Sequence, residues 1–160
     1  SNSKLNGDTL HEDREQPPQV HTHPQLHGIQ LHGNESNSFC QSFDIPVIKA
    51  IPLKPNLNKS IFNSYNVSAL LLDSYDKNLI GGTGKTFDWS SVEFDQIKLP
   101  IILAGGLNDK NILSGIKTVN PSALDISSGV EVRPGKKSKT KMENIFSKLI
   151  STKNKGYNFD

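Results

Sequence analysis

Cysteine occurs once in these 160 residues, at Cys40, and methionine and tryptophan also once each. A single thiol excludes an internal disulfide framework and suits a reducing compartment. No apolar run approaches the roughly 18 residues of a membrane-spanning helix, and the N-terminus has no apolar signal segment. Charge of one sign is missing too: 18 Lys and Arg against 16 Asp and Glu leave a formal +2, which implies no polyanionic partner. These absences set the expectation of a soluble, cytoplasmic protein that binds neither membrane nor nucleic acid. The length suits one domain around one core.

What apolar content there is, 34% of the chain, is unevenly spread. Residues 1–25 carry Pro17, Pro18, His21, His23 and a mixed-charge run, a composition that cannot bury enough surface to order itself. They read as a polar, disordered tail or loop insertion. His21 and His23 with His27 have the right side chains for a metal, but ligands need a fixed surrounding shell, and no metal site is expected. From Leu26 onward, short apolar runs recur at 28–31, 47–51, 69–72, 101–104 and 123–126. Most are continuous rather than alternating, as strands buried on both faces require.

Between the runs lie helical stretches with caps. Asn34 can cap 35–43, and 57–65 is a weaker stretch. Asp88 can cap 89–96, and Asn108 a helix bearing Ile112, Leu113, Ile116 and Val119. Ser138 can cap a last helix whose Met142, Ile145, Phe146, Leu149 and Ile150 form an apolar stripe. Alternating strands and helices predict parallel βα units over 26–152, with 153–160 as a tail. Five units fit a doubly wound sheet or part of a barrel.

In either architecture the site lies where strands end, so the residues closing each run are the candidates. These are His32, Lys49 or Ala50, Asp73, Gly105 with Gly106, and Ser127, Ser128 and Gly129. Small residues after the last two strands can present backbone N–H groups to a phosphate. The glycine loop GGTGKT, from Gly81 to Thr86, invites comparison with a nucleotide-binding P-loop. That pattern needs glycine six residues before Lys85, where Leu79 stands, so an ATP site is only a second alternative. The basic run Arg133–Lys141 lacks interleaved aromatics and reads as a solvated loop and first helical turn.

Five blocks occur in order: GIQLHG (Gly28–Gly33), LLLDS (Leu70–Ser74), GGTGKTFDW (Gly81–Trp89), PIILAGGL (Pro100–Leu107) and LDISSGVE (Leu124–Glu131). Together they resemble phosphoribosylanthranilate isomerase, in a fungal-like form. The resemblance implies an α/β fold, the (β/α)8 TIM barrel. It numbers the five runs as strands four to eight, so the chain would be a C-terminal portion and the barrel incomplete. It implies the Amadori rearrangement of N-(5-phosphoribosyl)anthranilate to 1-(o-carboxyphenylamino)-1-deoxyribulose 5-phosphate in tryptophan biosynthesis, without cofactor or metal.

On this resemblance Asp73 is the general acid that protonates the ring oxygen. His32, Gly82, Gly105, Gly106, Ser127, Ser128 and Gly129 then bind the phosphoribosyl substrate, and Asp125 holds its loop. The family's base is a cysteine on a first strand with no counterpart here, and Cys40, in a helical stretch, is no substitute. The chain alone is therefore expected to be inactive, and to pair through open strand edges with a missing N-terminal half or with itself. A non-catalytic sugar-phosphate-binding module is the first alternative.

Overall fold

The computed structural model describes residues 26–54, 57–74 and 89–153. Readings that fall on 1–25, on Gly82, Lys85 and Asp88, and on the tail from 154 lie outside the described residues. Five parallel strands form one sheet: β1 (Ile29–Leu31), β2 (Val47–Pro52), β3 (Ala69–Asp73), β4 (Ile101–Ala104) and β5 (Ala123–Leu124). Their spatial order is their chain order. A doubly wound sheet reverses direction at a switch point. A singly wound progression, as in a (β/α) barrel, does not, and that alternative is settled in favour of single winding.

Side chains alternate across the sheet, which splits each strand between two environments. On one face Ile51, Leu70, Leu72, Ile101 and Leu103 pack with Phe62, Trp89 and Phe94 from the connections. Leu70, Leu72 and Leu103 are wholly buried, each contributing about 1.5–3 kcal/mol relative to exposure. On the other face lies a thinner layer of Ala50, Leu71 and Ala104, flanked by Ile48 and Ile102. His32 and Asp73 belong to this second face, since Leu31 and Leu72 beside them point into the first.

Several connections differ from expectation for local reasons. The stretch after β1 starts its helix late: α1 is a single turn, Asn37–Cys40, capped by Ser36 rather than Asn34. Glu35, ahead of it, turns its carboxylate back onto Gly33 N–H. Residues 59–63 form a 3₁₀ turn capped by Asn58. The stretch 89–96 gives two 3₁₀ turns, Trp89–Ser91 and Phe94–Gln96, instead of one helix. Trp89 and Phe94 are both buried, yet residues five apart lie about 140° apart around an α-helix and cannot share its buried face.

Helix α2 spans Ile112–Val119 and ends on Asn120 in the left-handed conformation, a stop that asparagine tolerates. It starts at Asn111, not Asn108. Ser138 does cap α3 (Lys139–Lys153), its Oγ accepting from Lys141 N–H at 3.3 Å. Only part of the α3 stripe is covered: Ile145 is buried, whereas Phe146 and Ile150 are exposed. The basic run contains a small antiparallel hairpin, β6 (Glu131–Arg133) and β7 (Lys136–Lys137), which turns at Gly135 with φ 77°. No helix among the described residues is long and apolar enough to cross a membrane.

Candidate active site

Asp73 closes β3, in register with Pro52 on one side and Ala104 on the other. Its side chain is one-quarter exposed, and His32 Nε2 lies 3.7 Å from its Oδ2. That is too long for a hydrogen bond but close enough for charge attraction when the imidazole is protonated. His32 follows β1, two strands away. On the face they share, the strand between them, β2, presents Ala50 and, in register with Asp73, Pro52. The sequence-predicted acid and the sequence-predicted histidine are thus brought together.

Ser74, next in the chain, ties this strand end to the glycine turn after β4. It is buried; its N–H donates to Ala104 O at 3.2 Å, and its hydroxyl is 2.9 Å from Ala104 O and 2.7 Å from Gly105 O. The turn itself needs glycine twice, with φ 81° at Gly105 and 67° at Gly106, where a Cβ is strained. The side-chain amides of Asn108 and Asn111 both donate to Gly106 O, at 3.0 and 3.1 Å. A Cβ added at Gly106 would meet nothing within 4 Å. Gly106 is therefore glycine for its conformation, and the space beside it is open.

Gly129 is glycine for the opposite reason. A Cβ there would lie 1.8 Å from Leu107 O and 2.8 Å from Leu107 C, so only bare backbone can approach. This contact sets the Ser127–Gly129 loop directly against the turn after β4. Ser127 and Ser128 are exposed. Lys137 reaches back from the hairpin to donate to Ser127 O at 3.0 Å and to Glu131 Oε1 at 2.9 Å. The Lys137 hydrogen bond, then its charge, holds the Glu131 carboxyl below its usual range.

Two expectations need correction. Lys49 and Ala50 do not close β2, which runs on to Pro52. Lys49 faces away from Asp73, on the helix-bearing side of the sheet, and is 2% exposed. It donates to Gly33 O at 2.8 Å, Glu35 Oε2 at 2.9 Å and Ala50 O at 3.0 Å. Asp125 lies beyond the end of β5 and is exposed, so the burial that would make it a loop-holder is not there. Arg133 is exposed in the hairpin.

Cys40 packs with Leu31 and Val47 behind the sheet, on the face opposite His32 and Asp73, where burial pushes its thiol up. The Glu35–Lys49 pair went unrecognised as such in the sequence, although a lysine inside the apolar run VIKAI was a signal that a partner must exist. Burial pushes the Glu35 carboxyl up, but the Lys49 hydrogen bond and charge, with backbone N–H donors, outweigh it and hold it below its usual range. Among the described residues no group of three or more His, Cys, Asp or Glu is arranged to hold a metal.

With this geometry in view, comparison with known proteins is specific. A family model described as N-(5'phosphoribosyl)anthranilate (PRA) isomerase matches residues 12–148. The N-(5'-phosphoribosyl)anthranilate isomerase of Hahella chejuensis is 46% identical over 112 residues, 69% of this chain and 52% of that protein. That of Trichormus variabilis is 38% identical over 133 residues, 79% of this chain and 63% of its own. The crystal structure of phosphoribosyl anthranilate isomerase from Thermotoga maritima superposes with a TM-score of 0.66 at 35% identity, covering 79% of this chain and 62% of that one. One such isomerase in complex with reduced 1-(o-carboxyphenylamino)-1-deoxyribulose 5-phosphate gives a TM-score of 0.62 at 32% identity, over 79% of this chain and 60% of the other. The chain spans about half the length of the first curated relatives it matches. Neither a fungal-like character nor its assignment as a C-terminal portion is borne out by these matches.

Proposed function

Because the chain belongs to the N-(5'-phosphoribosyl)anthranilate isomerase family, we propose that it serves the Amadori rearrangement of N-(5'-phosphoribosyl)anthranilate, with Asp73 as general acid. The carrying observation is the placement of Asp73 on one face with His32, at the strand end that Ser74 ties to the Gly105 turn. The relatives carry the isomerase name, and one is solved with a reduced form of the product. In this reading the Asp73 carboxyl gives its proton to the ribose ring oxygen, and opening of the ring leaves a cation that His32 and Asp73 border. The finer reading places the five strands within a (β/α)8 barrel.

The phosphate sits against Gly105, Gly106, Ser127, Ser128 and Gly129. Two backbone turns pressed together at Gly129 and Leu107 offer N–H donors without side chains in the way. Gly82 and Lys85 lie outside the described residues and enter no step here. Removal of the C2 proton is assigned to no described residue, since Cys40 is behind the sheet. Negligible activity of the isolated chain remains part of this proposal. An assay of the chain alone, and mixed with a polypeptide supplying further βα units, tests it.

The decisive substitution is Asp73→Asn in whichever form isomerises the substrate. Loss of a general acid predicts a fall in kcat of about 10²–10⁴ with little change in substrate affinity. Wild-type turnover would remove Asp73 from the reaction. A non-catalytic sugar-phosphate-binding module is favoured by one observation, that the glycine turns are built without Asp73. Calorimetric titration of ribose 5-phosphate, unchanged by Asp73→Asn and with no turnover in any form, is the outcome that selects it.

A further inference from the structure

Glu35 and Lys49 form an ion pair whose side chains are only 2% and 3% exposed, on the far side of the sheet from Asp73. Replacing such a pair by apolar residues is commonly neutral or stabilising, so its presence calls for a purpose other than core stability. Apart from the bond between them and one from Lys49 to Ala50 O, their hydrogen bonds converge on one residue, Gly33. Both Glu35 carboxylate oxygens accept from Gly33 N–H, at 2.9 and 3.0 Å, and Lys49 donates to Gly33 O at 2.8 Å. A Cβ at Gly33 would lie 2.7 Å from Glu35 Oε1, so the carboxylate occupies the space a side chain would take. Tyr65 Oη donates to Glu35 O at 3.1 Å, fixing the same segment from the connection before β3.

Gly33 immediately follows His32. Fixing both polar groups of residue 33 fixes the backbone on the C-terminal side of the histidine, and with it the direction in which His32 leaves the chain. We infer that the buried Glu35–Lys49 pair is a positioning device for His32, holding its imidazole against Asp73. Lys49 and Glu35 touch no substrate in this arrangement; they act through the histidine. The inference rests on the proposed site reading, in which His32 and Asp73 border the reacting sugar.

The test reads the imidazole directly, by two-dimensional ¹H–¹⁵N NMR of the histidine side chains in the full chain, with His27 as internal reference. In the parent protein, Asp73→Asn shifts the His32 ring resonances and leaves those of His27 in place. In a Glu35→Leu/Lys49→Met background, the same Asp73→Asn change no longer moves His32 beyond the His27 level. An undiminished His32 response in that background overturns the positioning role while leaving the His32–Asp73 site intact. No His32 response in the parent overturns the site reading, and the inference with it. If the apolar pair does not fold, Glu35→Gln keeps the shape and removes the charge. The His32 response to Asp73→Asn must then shrink, and an unchanged response again overturns the inference.

Discussion

The two ends of the candidate site are built from opposite materials. At β1 and β2, a histidine is set by buried charge: a carboxylate and an ammonium, bonded to each other, hold the N–H and the C=O of Gly33. At β4 and β5, the turns are set by the absence of side chains, with backbone pressed on backbone where Gly129 meets Leu107. The first arrangement directs a side chain that must point one way. The second, in the proposed reading, leaves room for a phosphate, an anion that can be held from many directions. Orientation calls for charge and directional bonds, whereas a phosphate cradle calls for room.

The largest way to break this contrast is Lys49→Met, which strands the Glu35 carboxylate in a buried site without its cation. A loss of about 3–5 kcal/mol in urea unfolding is expected, and adding Glu35→Leu should return most of it. At the other end Gly129→Ala forces a methyl into the Leu107 carbonyl. Because the obstacle is backbone, about 3 kcal/mol is expected, with weakened ribose 5-phosphate binding in calorimetry. Gly106→Ala sharpens the same end, since nothing obstructs its Cβ. Only the left-handed conformation resists, at about 1–2 kcal/mol in the same unfolding assay.

The smallest effect is with pH. The Glu35 carboxyl is held below its ordinary value of 4.5, so its contribution to stability is fully present above that value. It is lost as pH falls through the lowered folded value. Thermal melts across acidic pH should show a steeper decline for the parent than for Glu35→Leu/Lys49→Met. Parallel declines would separate Glu35 from the acid response.

Much of this was legible in the sequence because the strands are buried on both faces. Ile101–Ala104 reads as a strand and is one, and each of the other four runs holds a strand shifted by a residue or two at its ends. Asp73 and His32 stood out as polar groups closing apolar runs, and Gly105, Gly106 and Gly129 as bare turns. The Glu35–Lys49 pair did not, because its partners are separated by 14 positions and meet only once β1 and β2 are paired. The break of 89–96 into two turns was hidden for a related reason: Trp89 and Phe94 share one core only when the sheet beneath them exists.

The strand between them governs a conversation to which it contributes nothing. His32 follows β1 and Asp73 closes β3, strands that are not neighbours, and on the face they share β2 offers only the methyl of Ala50 and, level with Asp73, the short ring of Pro52. A longer side chain at either place would raise a wall, leaving an imidazole and a carboxylate each facing water by itself. The vocabulary permitted at those two places is therefore short.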